Sequence, residues 1–205
     1  MTFIAIEGIE GSGKSTLIAG LAERLRRDGH AVVVTREPGG TRVSNAIRDV
    51  FLNNANAMAP LTEALLVNAA RAQHVFEVIR PALALERVVL CDRFIDSTLA
   101  YQGYGRGLRL DTLRELCSIA TGGLWPNFVL VLDLPVNVAR GRLQERAASD
   151  RIEAEDDDFH ERVRRGFLEL AAGPGHRVLD ATLPPESLLQ QAMEEVRAQL
   201  RIGVP

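Results

Sequence analysis

The sequence predicts an α/β fold in which a five-stranded parallel sheet is flanked by helices. Two observations carry this reading. Short β-branched runs alternate with longer helical patterns along the chain, and each strand candidate is an almost continuous apolar run rather than an in-out alternation. Strands of that kind are covered on both faces, and their alternation with helices implies parallel pairing through helical crossovers. At 205 residues, with no internal repeat and no low-complexity linker, the chain suits one domain, 1–205.

The first strand candidate is Phe3–Ile6, followed by a helical pattern over Ser15–Arg27 with Leu17, Ile18, Leu21, Ala22 and Leu25 on one face and Gly29 as the stop. Ala31–Thr35 reads as the second strand. A long helical stretch, Thr62–Leu85, is interrupted by Pro81. Val88–Cys91 is the third strand, Leu110–Ala120 a helix, Val129–Asp133 the fourth strand, and Val136–Ala147 and Asp157–Ala172 further helices. The fifth strand, Arg177–Leu179, precedes a helix over Glu186–Leu200. The acidic run Glu155-Asp156-Asp157-Asp158 reads as the first turn of its helix, where carboxylates complement the positive end of the dipole.

Composition excludes several classes. A net charge of −3 argues against a nucleic-acid binder, which would carry a basic excess, but leaves room for a small anionic ligand held by local cations. Cys91 and Cys117 form no CxxC pair and read as buried apolar thiols. His30, His74, His160 and His176 are scattered, so no structural zinc is expected. The N-terminus lacks a basic n-region and no apolar run is long enough to span a membrane, which places the expected location in the cytoplasm.

The most specific motif is Gly8-Ile9-Glu10-Gly11-Ser12-Gly13-Lys14-Ser15, a match to G-x-x-x-x-G-K-[ST] between a strand and a helix, with Thr16 in the first helical turn. Its glycines let successive N–H groups turn inward around a phosphate, and the helix N-terminus adds partial positive charge. Lys14 can reach β- and γ-phosphates, and the Ser15 hydroxyl can ligate Mg²⁺. This makes the fold a P-loop NTPase with a site for a nucleoside triphosphate. By itself it is common to kinases, switches and motors.

Three further basic groups follow later strands or helices. In Thr35-Arg36-Glu37-Pro38-Gly39-Gly40-Thr41, Arg36 stands at a strand end beside a stiff proline and two permissive glycines, suited either to a forked grip on phosphate or to an ordinary turn. Arg48, farther along, fits the same anion or a solvated helix face. Asp92-Arg93 ends the third strand. There Asp92 is placed to act near Mg²⁺ and Arg93 to screen two approaching phosphates, the alternative being a buried structural pair. The arginines Arg140, Arg142, Arg146 and Arg151 lie in a small-residue, polar stretch that reads as a lid over ATP at about 140–154, or as a helix end with scattered charge.

Taken in order, these motifs resemble the thymidylate kinase family over most of the chain. The resemblance is carried most specifically by TREPGGT at 35–41, Asp92-Arg93-Phe94 with Ser97-Thr98-Leu99-Ala100-Tyr101-Gln102-Gly103, and Asp150-Arg151-Ile152-Glu153. It implies a nucleoside-monophosphate-kinase-like sheet, ATP- and Mg²⁺-dependent conversion of dTMP to dTDP, and a homodimer. Glu10 matches the acid that contacts the deoxyribose 3′-hydroxyl and the metal shell. Arg36, Arg48 and Arg93 match acceptor-phosphate ligands, with Pro38 in the same turn. Arg71 matches the donor to the thymine edge, and Ser97, Thr98 and Gln102 fall in the base-reading segment. Tyr101 matches the tyrosine that disfavours a ribose 2′-hydroxyl. With no basic residue between Gly8 and Gly13, the chain is similar to the subgroup whose catalytic arginines come from the lid, here Arg142, Arg146 and Arg151 beside Lys14 and Arg93. One base-site position departs: Val67 stands where the family usually has a stacking phenylalanine, and Phe94 replaces a more frequent tyrosine. The competing readings are a kinase for another monophosphate and a nucleotide-dependent switch or ATPase, which would need no second phosphate site.

Overall fold

A computed structural model describes residues 2–144 and 150–202. Its sheet contains β1 (Thr2–Glu7), β2 (Val32–Arg36), β3 (Val88–Asp92), β4 (Phe128–Asp133) and β5 (His176–Asp180), in the order β2-β3-β1-β4-β5 and parallel throughout. The central strands β1, β3 and β4 are buried along nearly their whole length, as their unbroken apolar runs require. The outer strands differ: Val34 on β2 and Val178 on β5 are nearly half exposed, because an edge strand has a neighbour on one side only.

The helices are α1 (Lys14–Arg27), α2 (Arg42–Leu52), α3 (Pro60–His74), α4 (Arg80–Ala84), α5 (Ile95–Thr98), α6 (Leu110–Thr121), α7 (Val136–Gln144), α8 (Asp157–Leu170) and α9 (Pro185–Ile202). The apolar face read for α1 is the face it buries: Leu17, Ile18, Leu21, Ala22 and Leu25 are all inside. Pro81 does not end the long third helix. A π-helical turn, Val75–Ile79, joins α3 to α4, so the chain absorbs the missing proline N–H and stays helical. Two helical segments add to those expected, the first with a helical spacing of apolar residues at Val43, Ala46, Ile47, Val50 and Phe51. The first, α2, is started by Thr41, whose hydroxyl accepts from the Ser44 N–H at 3.0 Å. The second runs through α5 into a π-helical stretch, Leu99–Gly105, which packs under α8. The acidic run behaves as expected: Asp156 caps α8 by accepting from the Phe159 N–H at 2.7 Å, and Asp157 and Asp158 follow in its first turn.

Strand order determines where a ligand can enter. After β1 the chain crosses to β2 on one side, and after β3 it crosses to β4 on the other, so the carboxyl ends of β1 and β3 face a shared crevice. The register pairs Ile6 with Asp92, and the Arg93 N–H donates to the Ile6 carbonyl at 2.9 Å. The glycine-rich loop and the Asp92-Arg93 pair are therefore held side by side. Truncating the core support of that loop should unfold the protein before it alters the loop. Leu21→Ala, a fully buried site between α1 and the sheet, is expected to cost about 2–5 kcal/mol in chemical denaturation, and a loss under about 1 kcal/mol would contradict the packing described.

Candidate active site

The crevice is a cleft of about 390 Å³ lined by residues from both halves of the sheet edge. Of the expected site residues, Glu10, Gly11, Gly13, Lys14, Ser15 and Thr16 line it from the P-loop side. Arg36, Pro38, Arg48, Val67, Arg71, Asp92, Arg93, Ser97, Thr98, Tyr101 and Gln102 line the remainder. Gly8, Ile9 and Ser12 do not face the cleft; they form the inner side of the loop. Their role is visible at Lys14, whose Nζ donates to the Gly8 carbonyl at 2.9 Å, the Ile9 carbonyl at 2.8 Å and Ser12 Oγ at 3.3 Å. Gly8 has φ +132°, and a Cβ there would stand 2.5 Å from the Leu132 carbonyl oxygen, so only glycine permits this wrapping. Burial, reinforced by the positive charge of Arg93, lowers the Lys14 pKa to about 8.

Arg93 is a non-glycine residue at φ +70°, a conformation that costs free energy and persists where its surroundings enforce it. From there Nη1 donates to the Gly8 carbonyl at 2.9 Å and Ser97 Oγ at 3.1 Å, and Nη2 donates to Glu10 Oε1 at 2.8 Å. Tyr101 donates its hydroxyl proton to the same carboxylate, 2.8 and 2.7 Å from its two oxygens. Burial opposes ionisation of Glu10, but Arg93, Lys14 and the Tyr101 hydroxyl outweigh it and hold its pKa below the usual range. Glu10 thus stays an acceptor with room for one more donor, such as a sugar hydroxyl.

The wall opposite the P-loop gathers three arginines, with Asp92, Asp150 and Glu153 also on the cleft. Arg36 and Arg48 share the cleft with Arg93, and Arg48 Nη1 donates to the Pro38 carbonyl at 3.0 Å. Burial and then the charge of Arg36 push the Arg48 pKa down, with Asp150 and Asp92 opposing them in part. Arg36 has no hydrogen-bond or ion-pair partner among the described residues. Ser15 Oγ donates to Asp92 Oδ2 at 3.2 Å, so two hard oxygen groups meet beside Lys14. That donor set fits Mg²⁺, which takes few protein oxygens and completes its shell with phosphate and water. Glu10 is engaged by Arg93 and Tyr101 rather than by this pair.

The lid arginines divide. Arg142 reaches the P-loop, with Nη1 3.2 Å from the Gly11 carbonyl and Nη2 3.1 Å from the Ala181 carbonyl. Arg151 does not line the cleft: Nε donates to the Phe51 carbonyl at 3.0 Å and Nη1 to Glu63 Oε1 at 2.5 Å, while Nη2 is buried with no partner among the described residues. Arg146 lies outside the described residues.

Several contributors escaped the sequence reading. Glu7, fully buried, accepts from the Phe94 N–H at 2.7 Å and the Ser97 hydroxyl at 2.6 Å, and burial raises its pKa to about 7. Glu63 gathers Gln102, Arg106 and Arg151. His160 on α8 stands 3.9 Å from Glu10. Phe51 and Leu52 add apolar wall beside Val67. Their only sequence signal was adjacency to motifs already singled out.

Because a bound polyphosphate would favour charged Lys14, ATP affinity should hold roughly constant below pH 8 and weaken above it, by up to about tenfold per unit. Calorimetric titration of ATP between pH 7 and 10 checks this, and a flat profile to pH 10 would contradict it.

Comparison with known proteins identifies the family. The thymidylate kinase family profile matches residues 6–192. The chain is 49% identical over 209 residues to a thymidylate kinase of Desulfovibrio desulfuricans, covering 97% of this chain and 96% of that one. It is 50% identical over 207 residues to one from a Synechococcus species, covering 99% and 98%. A solved thymidylate kinase from Ehrlichia chaffeensis superposes with a TM-score of 0.77 at 32% identity, over 95% of this chain and 98% of that chain. The chain belongs to the thymidylate kinase family.

Proposed function

We propose that the chain transfers the γ-phosphoryl group of ATP to dTMP, giving dTDP. The observation that carries this reading is that two anion-binding sets, the P-loop with Lys14 and the arginines Arg36, Arg48 and Arg93, face one another within a single cleft. A switch or ATPase needs only the first set. Transfer between two phosphates requires bringing like charges together, and Arg93, bonded to the Gly8 carbonyl and bordering the acceptor arginines, stands where it can screen both. No covalent protein intermediate is involved; the residues bind, align and neutralise. Ser15 and Asp92 would hold Mg²⁺, which supplies further neutralisation of phosphate oxygens. Arg142 covers the donor side, with Arg146 assigned beside it on the family resemblance, and Arg151 anchors the segment following the lid to α3.

The acceptor's sugar and base are read by the far wall. Glu10 accepts from the 3′-hydroxyl, and Tyr101, fixed on Glu10, fills the space of a 2′-hydroxyl. Gln102 donates its Nε2–H to Glu63 at 3.1 Å, which leaves its amide oxygen to accept from a pyrimidine N3–H, and Arg71 donates to the neighbouring keto oxygen. With Val67 in place of a stacking aromatic, Phe51, Leu52, Phe94 and Ile152 supply the remaining apolar cover. The protein acts in the cytoplasm as a homodimer. Val43, Ala46, Ile47 and Val50 on α2 and Leu66 on α3 line a shallow apolar surface whose self-pairing would cover it.

Lys14→Ala and Arg93→Ala should each lower dTMP-dependent ATP consumption by about 10³-fold or more while leaving the circular dichroism spectrum intact. Near-native turnover in either contradicts the mechanism, as does ATP hydrolysis that ignores every monophosphate in a screen of dTMP, dUMP, dCMP and dGMP. In sedimentation velocity the native chain should run as a dimer and Val50→Arg as a monomer; an unchanged dimer in the variant places the interface elsewhere.

A further inference from the structure

A buried polar chain runs back from the wall of the cleft into the core. Arg71 and Glu37 are almost wholly buried and His74 entirely so. Glu37 Oε2 accepts from Arg71 Nε at 2.7 Å, and Glu37 Oε1 meets His74 Nδ1 at 2.9 Å. Since a carboxylate only accepts, Nδ1 carries the proton, and Nε2 faces the Thr35 hydroxyl at 2.6 Å. Room for the last contact comes from Gly40: at φ +85°, a Cβ on it would stand 2.7 Å from the His74 ring and 2.8 Å from Thr35 Oγ1. Arg71 is secured on its other edges by Asn68 Oδ1 at 3.1 Å, Cys117 Sγ at 3.3 Å and the Phe94 carbonyl at 2.8 Å. Four of its five N–H groups are thereby committed, which leaves one, on Nη2, for the cleft that the residue lines.

Glu37 also lies between Arg36 and Pro38, and its own N–H donates to the Asp92 carbonyl at 2.9 Å. The residue that holds Arg71 is thus pinned to β3 within the same turn that presents the acceptor-phosphate ligands. We propose that Glu37, braced by His74 and Thr35, is a positioning residue that aims the single uncommitted N–H of Arg71 and thereby sets discrimination between a keto and an amino group on the pyrimidine. The proposal rests on the reading of Arg71 as the base-edge donor. A fixed donor rewards the keto oxygen of dTMP and leaves the amino group of dCMP facing another donor; a guanidinium free to swing would lose that contrast.

The test is the ratio of kcat/KM for dTMP to that for dCMP in the full-length enzyme, with the KM for ATP measured alongside. Glu37→Gln keeps the side-chain shape but one of its two acceptor oxygens becomes a donor, and it should lower the ratio by about tenfold or more. Thr35→Val, which removes only the brace behind His74, should lower it about two- to fivefold. The KM for ATP should stay as it is in both, which separates aiming from general damage to the cleft. Should Glu37→Gln fail to fold, Thr35→Val decides alone. Arg71→Ala distinguishes the two layers: a ratio that collapses in it but is unchanged in Glu37→Gln and Thr35→Val overturns the positioning role, whereas a ratio unchanged in Arg71→Ala itself removes the base reading beneath it.

Discussion

The guanidinium of Arg93 is the piece on which both halves of the cleft depend. Its backbone is held in the left-handed region at the end of β3 by the Ile6 carbonyl, and its side chain touches the P-loop at Gly8, the sugar-side acid Glu10 and the helix that follows at Ser97. Burial works against the charge, but Tyr101, Glu10, Asp92 and Glu7 more than offset it and drive the Arg93 pKa up, so the group is cationic at any working pH. One fixed positive charge therefore serves two pockets at once. Without it, Gly8 and Glu10 would lose the same partner.

That arrangement follows from the sheet. Adjacent parallel strands whose connections leave in opposite directions open a crevice at their carboxyl ends, and here β1 delivers a glycine loop to it while β3 delivers Asp92 and Arg93. The same geometry explains why Lys14 is caged by carbonyls of its own loop: a buried ammonium has to satisfy its donors, and burial lowers its pKa. Electrostatic preorganisation of this kind is held in the fold before substrate arrives.

Much of this was legible in the sequence, for identifiable reasons. Central strands announce themselves because burial on both faces demands unbroken apolar runs, and the P-loop because its glycines are dictated by backbone conformation. The motif residues of TREPGGT and Asp92-Arg93 come together because each ends a strand at the same edge. What could not be read falls into two kinds. The segment Ile95–Gly105 is helical against the preference of its glycines and aromatics, so packing under α8 overrides local propensity. Partnerships such as Glu37 with His74 and Arg71, or Glu63 with Arg106 and Arg151, join residues tens of positions apart with no periodic signature. Arg151 shows the limit of motif reasoning: it was expected over ATP, yet it is bound to buried Glu63 on α3, behind Gln102.

The claim that two phosphate pockets share one cleft is tested most directly by a crystal structure with Mg²⁺ and an analogue in which adenosine and thymidine are joined through a polyphosphate chain. One continuous chain of phosphates is expected, running from the P-loop amides and Lys14, past Arg93, to Arg36 and Arg48, with the thymine edge at Arg71. Phosphates that leave the P-loop without passing Arg93, or a thymidine seated outside the cleft, would contradict it.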